Sequence, residues 1–186
     1  MKKINHAIRE IVIVIIGILI ALFINNWNEE RKDKEYRNQI FSSIEKELLE
    51  SKLELEKVIP KQKALIDTLN RYIDNDTVSL YEIILKGNGM NTPNIKTNSW
   101  NAIANSRIEI VAYEKLSELA EIQERKDNLN LRNNFLLEFI FQNFENSDRK
   151  KKEIFEFLIG DIINAEQYFQ LTIEEILKKD LVTKGG

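Results

Sequence analysis

Residues 11–24 read IVIVIIGILIALFI, from Ile11 to Ile24, and the run ends abruptly in Asn25-Asn26-Trp27-Asn28. These fourteen residues carry no charge and no strongly polar side chain. A helix of a water-soluble domain shows one apolar stripe, whereas this run is apolar on every face. At 1.5 Å per residue it covers about 21 Å, short of the roughly 30 Å hydrocarbon core of a bilayer. The flanks lengthen it. Ile4, Ala7 and Ile8 extend the apolar surface toward the N-terminus, and Trp27 supplies an interfacial aromatic at the far end. From Ile8 to Trp27 the segment reaches about 20 residues, the usual spanning length. Arg9 and Glu10 fall at headgroup level with Trp27 opposite. There Arg9 can snorkel outward, and Glu10 lies one turn from His6, near enough to pair with it.

A cleaved signal peptide needs small residues flanking the cut, and Phe23-Ile24-Asn25-Asn26-Trp27 offers no such pair. A buried soluble helix would show polar positions at helical spacing, and the run has none. The expectation is an uncleaved signal anchor over residues 11–27, preceded by a short tail, 1–10. Lys2, Lys3 and Arg9 precede the helix, and Arg31, Lys32, Lys34 and Arg37 follow it, so counting cations near the ends is close to even. The three cations and the α-amino group of the tail, with the absence of cysteine, favour a cytoplasmic N-terminus and an extracytoplasmic domain. Gly17 and Ala21 form a small-x-x-x-small pair, a geometry that lets two membrane helices approach closely.

Beyond the run the chain is polar and poor in helix breakers: 6 Gly and 2 Pro in 186 residues. Residues 28–186 keep all but three of the 27 basic groups and all but one of the 30 acidic ones, a net charge near −5. Nucleic acid, which calls for a basic stripe, is not an expected partner. Apolar residues recur at helical spacing from Tyr36 through Ile44, Leu48, Leu55 and Ile59, with a kink expected at Pro60, and again from Leu65 to Ile73. Ser79 with Glu82 predicts a capping box over Leu80–Lys86, ended by Gly87-Asn88-Gly89. A loop, 90–99, leads to a short helix over Trp100–Asn105 capped by Ser99. A long helix is expected from Tyr113 to Phe144, with Leu116, Leu119, Ala120, Leu131, Phe135, Ile140 and Phe144 among its buried candidates. After a break at Asn146-Ser147-Asp148 the last helix carries Ile154, Leu158, Ile162, Ala165, Phe169, Ile173 and Ile176-Leu177. The expected fold is all-α: one N-terminal transmembrane helix continuing into an up-down antiparallel helical bundle over 28–182, with a frayed end, 183–186.

Two blocks are familiar. Glu10, Gly17-Ile18-Leu19-Ile20-Ala21-Leu22 and Asn25-Asn26-Trp27-Asn28-Glu29 form the first. Trp100-Asn101-Ala102-Ile103, Asn105-Ser106, Ile108 and Ile110 form the second. Together they resemble an uncharacterised, domain-of-unknown-function family of bacterial membrane proteins abundant in Bacteroidota. The second block departs from that pattern at Arg107, where a glycine is common. The resemblance implies a single-pass membrane protein of unknown activity, which with the orientation above puts the domain in the periplasm at a bacterial inner membrane, and it carries no catalytic residue across.

The chemistry available is narrow. The single histidine is His6, ahead of the apolar run, and there is no cysteine. Zinc sites, di-iron Glu-x-x-His motifs and Ser-His or Cys-His nucleophiles therefore have no material in residues 28–186. No Gly-rich phosphate loop occurs. Asp74-Asn75-Asp76 lacks the rest of a calcium loop and reads as a helix-ending turn. Glu45, Glu47 and Glu50 read as solvated face. No enzyme, cofactor or metal is expected. The expected partners are the lipid bilayer and a protein partner, or a second copy, engaged through the membrane helix and the bundle. The candidate contacts are Trp100, Phe139, Phe141 and Phe144. Trp100 could anchor a partner or plug the end of the bundle. Phe135, Phe139, Phe141 and Phe144 occupy too many faces for one stripe, which implies either deep burial or an exposed patch that meets another chain. A periplasmic small-molecule sensor acting through a partner's membrane helix is the alternative reading.

Overall fold

Three runs of the sequence place a residue at alternating three- and four-residue steps, and those residues form the core. The computed structural model describes the backbone of residues 2–183 and the side chains of residues 9–179. The helices are α1 (Lys2–Arg71), α2 (Leu80–Lys86), α3 (Asn98–Ala104), α4 (Tyr113–Asn143) and α5 (Arg149–Thr183), with one 3-10 turn at Ile108–Ile110. No strand occurs among the described residues. The all-α expectation holds. The chain divides into two compact units, Met1–Ser42 and Ser43–Gly186, so the second begins well beyond the polarity change at Asn28. The expected pairing of Glu10 with His6 and the frayed end 183–186 lie outside the described side chains.

In the second unit α1 buries Ile44, Leu48, Ser51, Leu55, Val58, Gln62, Leu65 and Leu69. The buried positions of α5 that keep the same steps are Lys152, Phe155, Ile159, Ile162, Glu166, Phe169, Ile173 and Ile176, with Ile163, Thr172 and Leu177 buried beside them. On α4 they are Leu119, Ile122, Leu129, Leu136, Ile140 and Asn143, with half-buried Lys126 and Asn133 completing the series. A mean step of 3.5 residues keeps one seam facing the partners along the whole helix.

Cross-helix pairs fix the directions. Lys52–Glu174 (3.1 Å), Gln62–Glu166 (2.9 Å) and Asn70–Glu156 (3.0 Å) show α5 antiparallel to α1. Lys179–Glu118 (3.1 Å) and Arg132–Asp161 show it antiparallel to α4. Helices α1 and α4 therefore run the same way, and the segment 72–112 must return between them. It does so along α1: Gly87 meets Leu65, Asn91 meets Gln62, Lys96 meets Ser51, and Ser99 meets Glu47. The up-down order is complete, with a largely non-helical second limb.

That limb explains the polar core positions. An extended segment has no hydrogen-bonding partners of its own, and unpaired backbone groups are costly to bury. Ser51 Oγ accepts from the Lys96 amide (2.9 Å) and donates to the Glu47 carbonyl (2.7 Å). Gln62 Nε2 donates to the Asn91 carbonyl (2.9 Å), and Lys126 Nζ reaches Thr97 Oγ1 (2.9 Å).

Several local expectations hold and several are corrected. The Ser79–Glu82 capping box and the bounds of α2 are as read, with Gly87 at the C-cap. A Cβ on Gly87 would lie 2.4 Å from Leu65 Cδ1, so this position sets how closely α2 approaches α1. Asp148 Oδ1 accepts from the amides of Lys150 (2.8 Å) and Lys151 (3.3 Å), recapping the chain at α5. Helix α1 continues through Pro60 to Arg71. Helix α3 begins at Asn98, not Trp100, and Ser99 is not its cap. The Glu47 carboxylate accepts from the Ser99 amide (3.1 Å) instead, which also corrects the solvated reading of Glu47. Glu50 pairs with Lys96 (2.6 Å). The expected burial of Ala120, Leu131, Phe135, Phe144 and Ile154 is wrong, because each lies off the seam.

Candidate functional site

With the seam of α4 fixed, the residues between its core positions project outward. Phe141 is 77 % exposed, and Leu131, Phe135 and Leu137 are exposed as well. On α5 the same logic leaves Ile154 exposed and Phe157 72 % exposed. Arg132 and Asp161 pair across the hairpin. Stepping from that pair toward the α4–α5 turn by helical periodicity gives Phe135 and Phe139 on α4, and Phe157 and Ile154 on α5. These outward aromatic and aliphatic groups share one side of the hairpin.

The four residues singled out from sequence divide. Phe141 presents its ring to solvent. Phe139 is half-buried, with Lys151 Nζ 5.9 Å from its ring centre. Phe144 stacks on Tyr81 at 4.3 Å, where the amides of Leu80 and Tyr81 donate to the carbonyls of Asn146 and Phe144. It serves an internal joint. Trp100 is only 8 % exposed, most of its ring being covered within the second unit, and it borders a groove beside α4. Phe157 was not singled out at all; its signal was available, since it falls between the seam positions Phe155 and Ile159.

In the first unit every large apolar side chain from Ile11 to Ile24 is between 46 % and 72 % exposed. The helix is long and apolar enough to cross a membrane. Arg9, Glu10 and Trp27 flank the run, and Asn25 Nδ2 donates to Glu29 (3.2 Å) just beyond it. A Cβ on Gly17 would meet nothing within 4 Å. Nothing in the described fold requires a glycine there.

Two of the grooves on the second unit border α4. One, of about 400 Å³, runs between α4 and α5 over Arg125, Asn128, Arg132, Asp161, Asn164 and Tyr168. Both guanidiniums are engaged: Arg125 sits over the Tyr168 ring at 4.1 Å and pairs with Glu121, and Arg132 pairs with Asp161. The other, of about 590 Å³, borders Trp100, Gln123, Glu124, Asp127 and Leu131, and is a shallow surface trough. Among the described residues no group of three His, Cys, Asp or Glu side chains is placed to hold a metal ion. Asp74 of the expected turn pairs with Arg149.

A family model matches residues 10–157, from Glu10 at the head of the apolar run to Phe157 on the outer face of α5; its description is Family of unknown function (DUF6090). The chain belongs to that family. No curated protein and no solved structure matches it. The DUF6090 region takes in the apolar run, both short helices, the whole of α4 and the exposed phenylalanines of both hairpin helices.

Two buried ionisable groups also lie in the second unit, and neither was singled out from sequence. Lys152, fully buried at the start of α5, donates to the carbonyls of Tyr72 (2.9 Å) and Asn75 (2.7 Å). It supplies donors and positive charge where α1 ends, as the last carbonyls of a helix require. Burial lowers its pKa, opposed by Asp76, Asp74 and Asp148. Glu166, 0 % exposed, lies on the seam of α5 against Gln62. Burial pushes its pKa up to about 7, against the Gln62 hydrogen bond that lowers it. Both belong to apolar seams that a count of hydrophobic residues passes over; the signal was a polar residue at a seam position.

Proposed function

We propose that this chain is a membrane-tethered helical bundle that acts as an interaction or accessory subunit at the bacterial cell envelope. On this reading Arg9, Glu10 and Trp27 mark the two membrane interfaces, the N-terminus is cytoplasmic and the bundle is periplasmic. The reading assigns no catalysis. Its main support is the outward aromatic face of the α4–α5 hairpin, where Phe157 is 72 % and Phe135 58 % exposed while the seams beneath are filled. Exposed apolar groups gathered on one element, over an already filled core, are what a protein-binding face offers. Gly17 and Ala21 offer a second contact, helix to helix within the bilayer. The sensor reading has less behind it, since the two grooves beside α4 are open and the arginines of the α4–α5 groove already have carboxylate partners.

The test is a photo-reactive amino acid placed in cells at Phe157, at Phe135, and at Lys57 on the exposed side of α1 as a control. A discrete cross-linked species at the first two positions, and none at Lys57, supports the reading. Equal, diffuse labelling at all three sites sinks it. Protease protection of spheroplasts tests the orientation: a bundle resistant to added protease would place it in the cytoplasm.

A further inference from the structure

Gln62 and Glu166 meet in the core with their polar atoms half used. The Asn91 carbonyl can only accept, so it fixes the Gln62 amide nitrogen toward the crossover limb, at 2.9 Å. That same nitrogen donates to Glu166 Oε1, also at 2.9 Å. Both of its hydrogens are then spent. What remains is Gln62 Oε1 and Glu166 Oε2, two fully buried oxygens with no hydrogen-bond partner. An ionised carboxylate and an amide oxygen are both acceptors and cannot satisfy each other. One added proton resolves both at once: carried on Glu166 Oε2 and donated to Gln62 Oε1, it closes a two-bond acid–amide ring.

We propose that Gln62 and Glu166 form a buried proton-binding site in which a neutral Glu166 carboxyl joins α5 to α1, and through the Asn91 carbonyl to the crossover limb. No charged group competes for it. Burial and the Gln62 hydrogen bond are the only influences resolved on this carboxyl, from α1, the crossover or α4. Lys61 and Lys63, beside Gln62 on α1, are exposed. Arg125 and Arg132 of α4 are held by Glu121 and Asp161. The folded carboxyl holds its proton up to about pH 7, against 4.5 for an ordinary glutamate. Because the folded value is raised, this group's contribution is fullest below the unfolded value and is lost as pH rises through the folded one. Losing the proton leaves a desolvated charge with one hydrogen bond, and the contact with the Asn91 segment weakens.

The experiment compares the full-length, detergent-solubilised chain with its Glu166→Gln variant, whose amide donates to Gln62 Oε1 without any proton. Thermal stability is followed from about pH 5 to about pH 9, with amide exchange of residues 88–97 beside it. The two proteins are expected to melt together at the acidic end and to separate by several degrees above neutrality, the variant being the more stable. Exchange in 88–97 is expected to quicken with pH beyond its intrinsic base catalysis only in the parent. Parallel melting curves overturn the proposal, as does a variant less stable than the parent at the alkaline end; either result would mean that buried water, and not a proton, satisfies the two oxygens. Glu166→Leu keeps the idea testable should Glu166→Gln fail to fold. Lacking the ring's donor and acceptor, it is expected to lose the parent's pH dependence and to be less stable at the acidic end, whereas a retained pH dependence assigns the titration elsewhere.

Discussion

The two ends of α1 are built from nearly the same residues to opposite effect. From Ile11 to Ile24 isoleucine, leucine and valine surround the helix, and each large one is at least 46 % exposed. From Ile44 to Leu69 the same residue types keep to alternating three- and four-residue steps, and those on the seam are at most 6 % exposed. Hydrophobic content is therefore not what separates the two. A stripe can be covered by two neighbouring helices, whereas a helix apolar all round needs an apolar solvent. Polar residues mark the difference in the other direction: Ser51 and Gln62 are tolerated on the buried seam because the crossover limb hydrogen-bonds them.

The sharpest way to break this contrast is to charge the apolar end. Val14→Lys with Ile18→Lys is expected to cost roughly 6 kcal/mol of insertion free energy, at about 3 for each lysine near the middle of a span. The double variant should leave the membrane fraction or fail to accumulate. Retention of a stable protein in membranes washed with carbonate would defeat the anchor reading. A smaller but still large effect is expected at the buried end of the contrast. Phe169, 1 % exposed, sits on the α5 seam, and Phe169→Ala should cost about 3–5 kcal/mol of folding stability by denaturant titration. Leu53→Ala, one step off the α1 seam and 62 % exposed, is the control and should stay within about 0.5 kcal/mol. Equal losses at both positions would mean that the seam has been assigned to the wrong residues.

What the sequence made legible follows the range of the forces involved. The α2 helix was readable to the residue because its cap is local: Ser79 and Glu82 lie three apart and bond each other. The start of α3 was not, because its cap is Glu47, fifty-two residues away in the chain. The α5 seam was misread near its start for a different reason. Lys152 and Glu166 occupy core positions, so counting apolar residues alone shifted the stripe onto Ile154, Leu158 and Ala165. The same error hid the candidate face. Taking Leu131 and Phe135 for core hides the seam through Leu129 and Leu136 and leaves Phe157 no reason to stand out. The exposed alternative for the phenylalanines was open from the sequence, but only the seam decided which of them it applied to.

The smallest expected effect is the one that bears most on function. Phe157 is as large as Phe169 and lies on the same helix, yet 72 % of it is exposed. A ring already in water loses little when removed, so Phe157→Ser should change folding stability by less than about 0.5 kcal/mol. The same substitution should abolish partner cross-linking from a probe at Phe135, if the two rings serve one face. A loss of several kcal/mol would show that the ring packs against something within the chain, and the outward aromatic face would then be part of the core. Unchanged stability together with unchanged cross-linking would leave the face without a binding role, and would move the search for a partner to Gly17 and Ala21 in the apolar run.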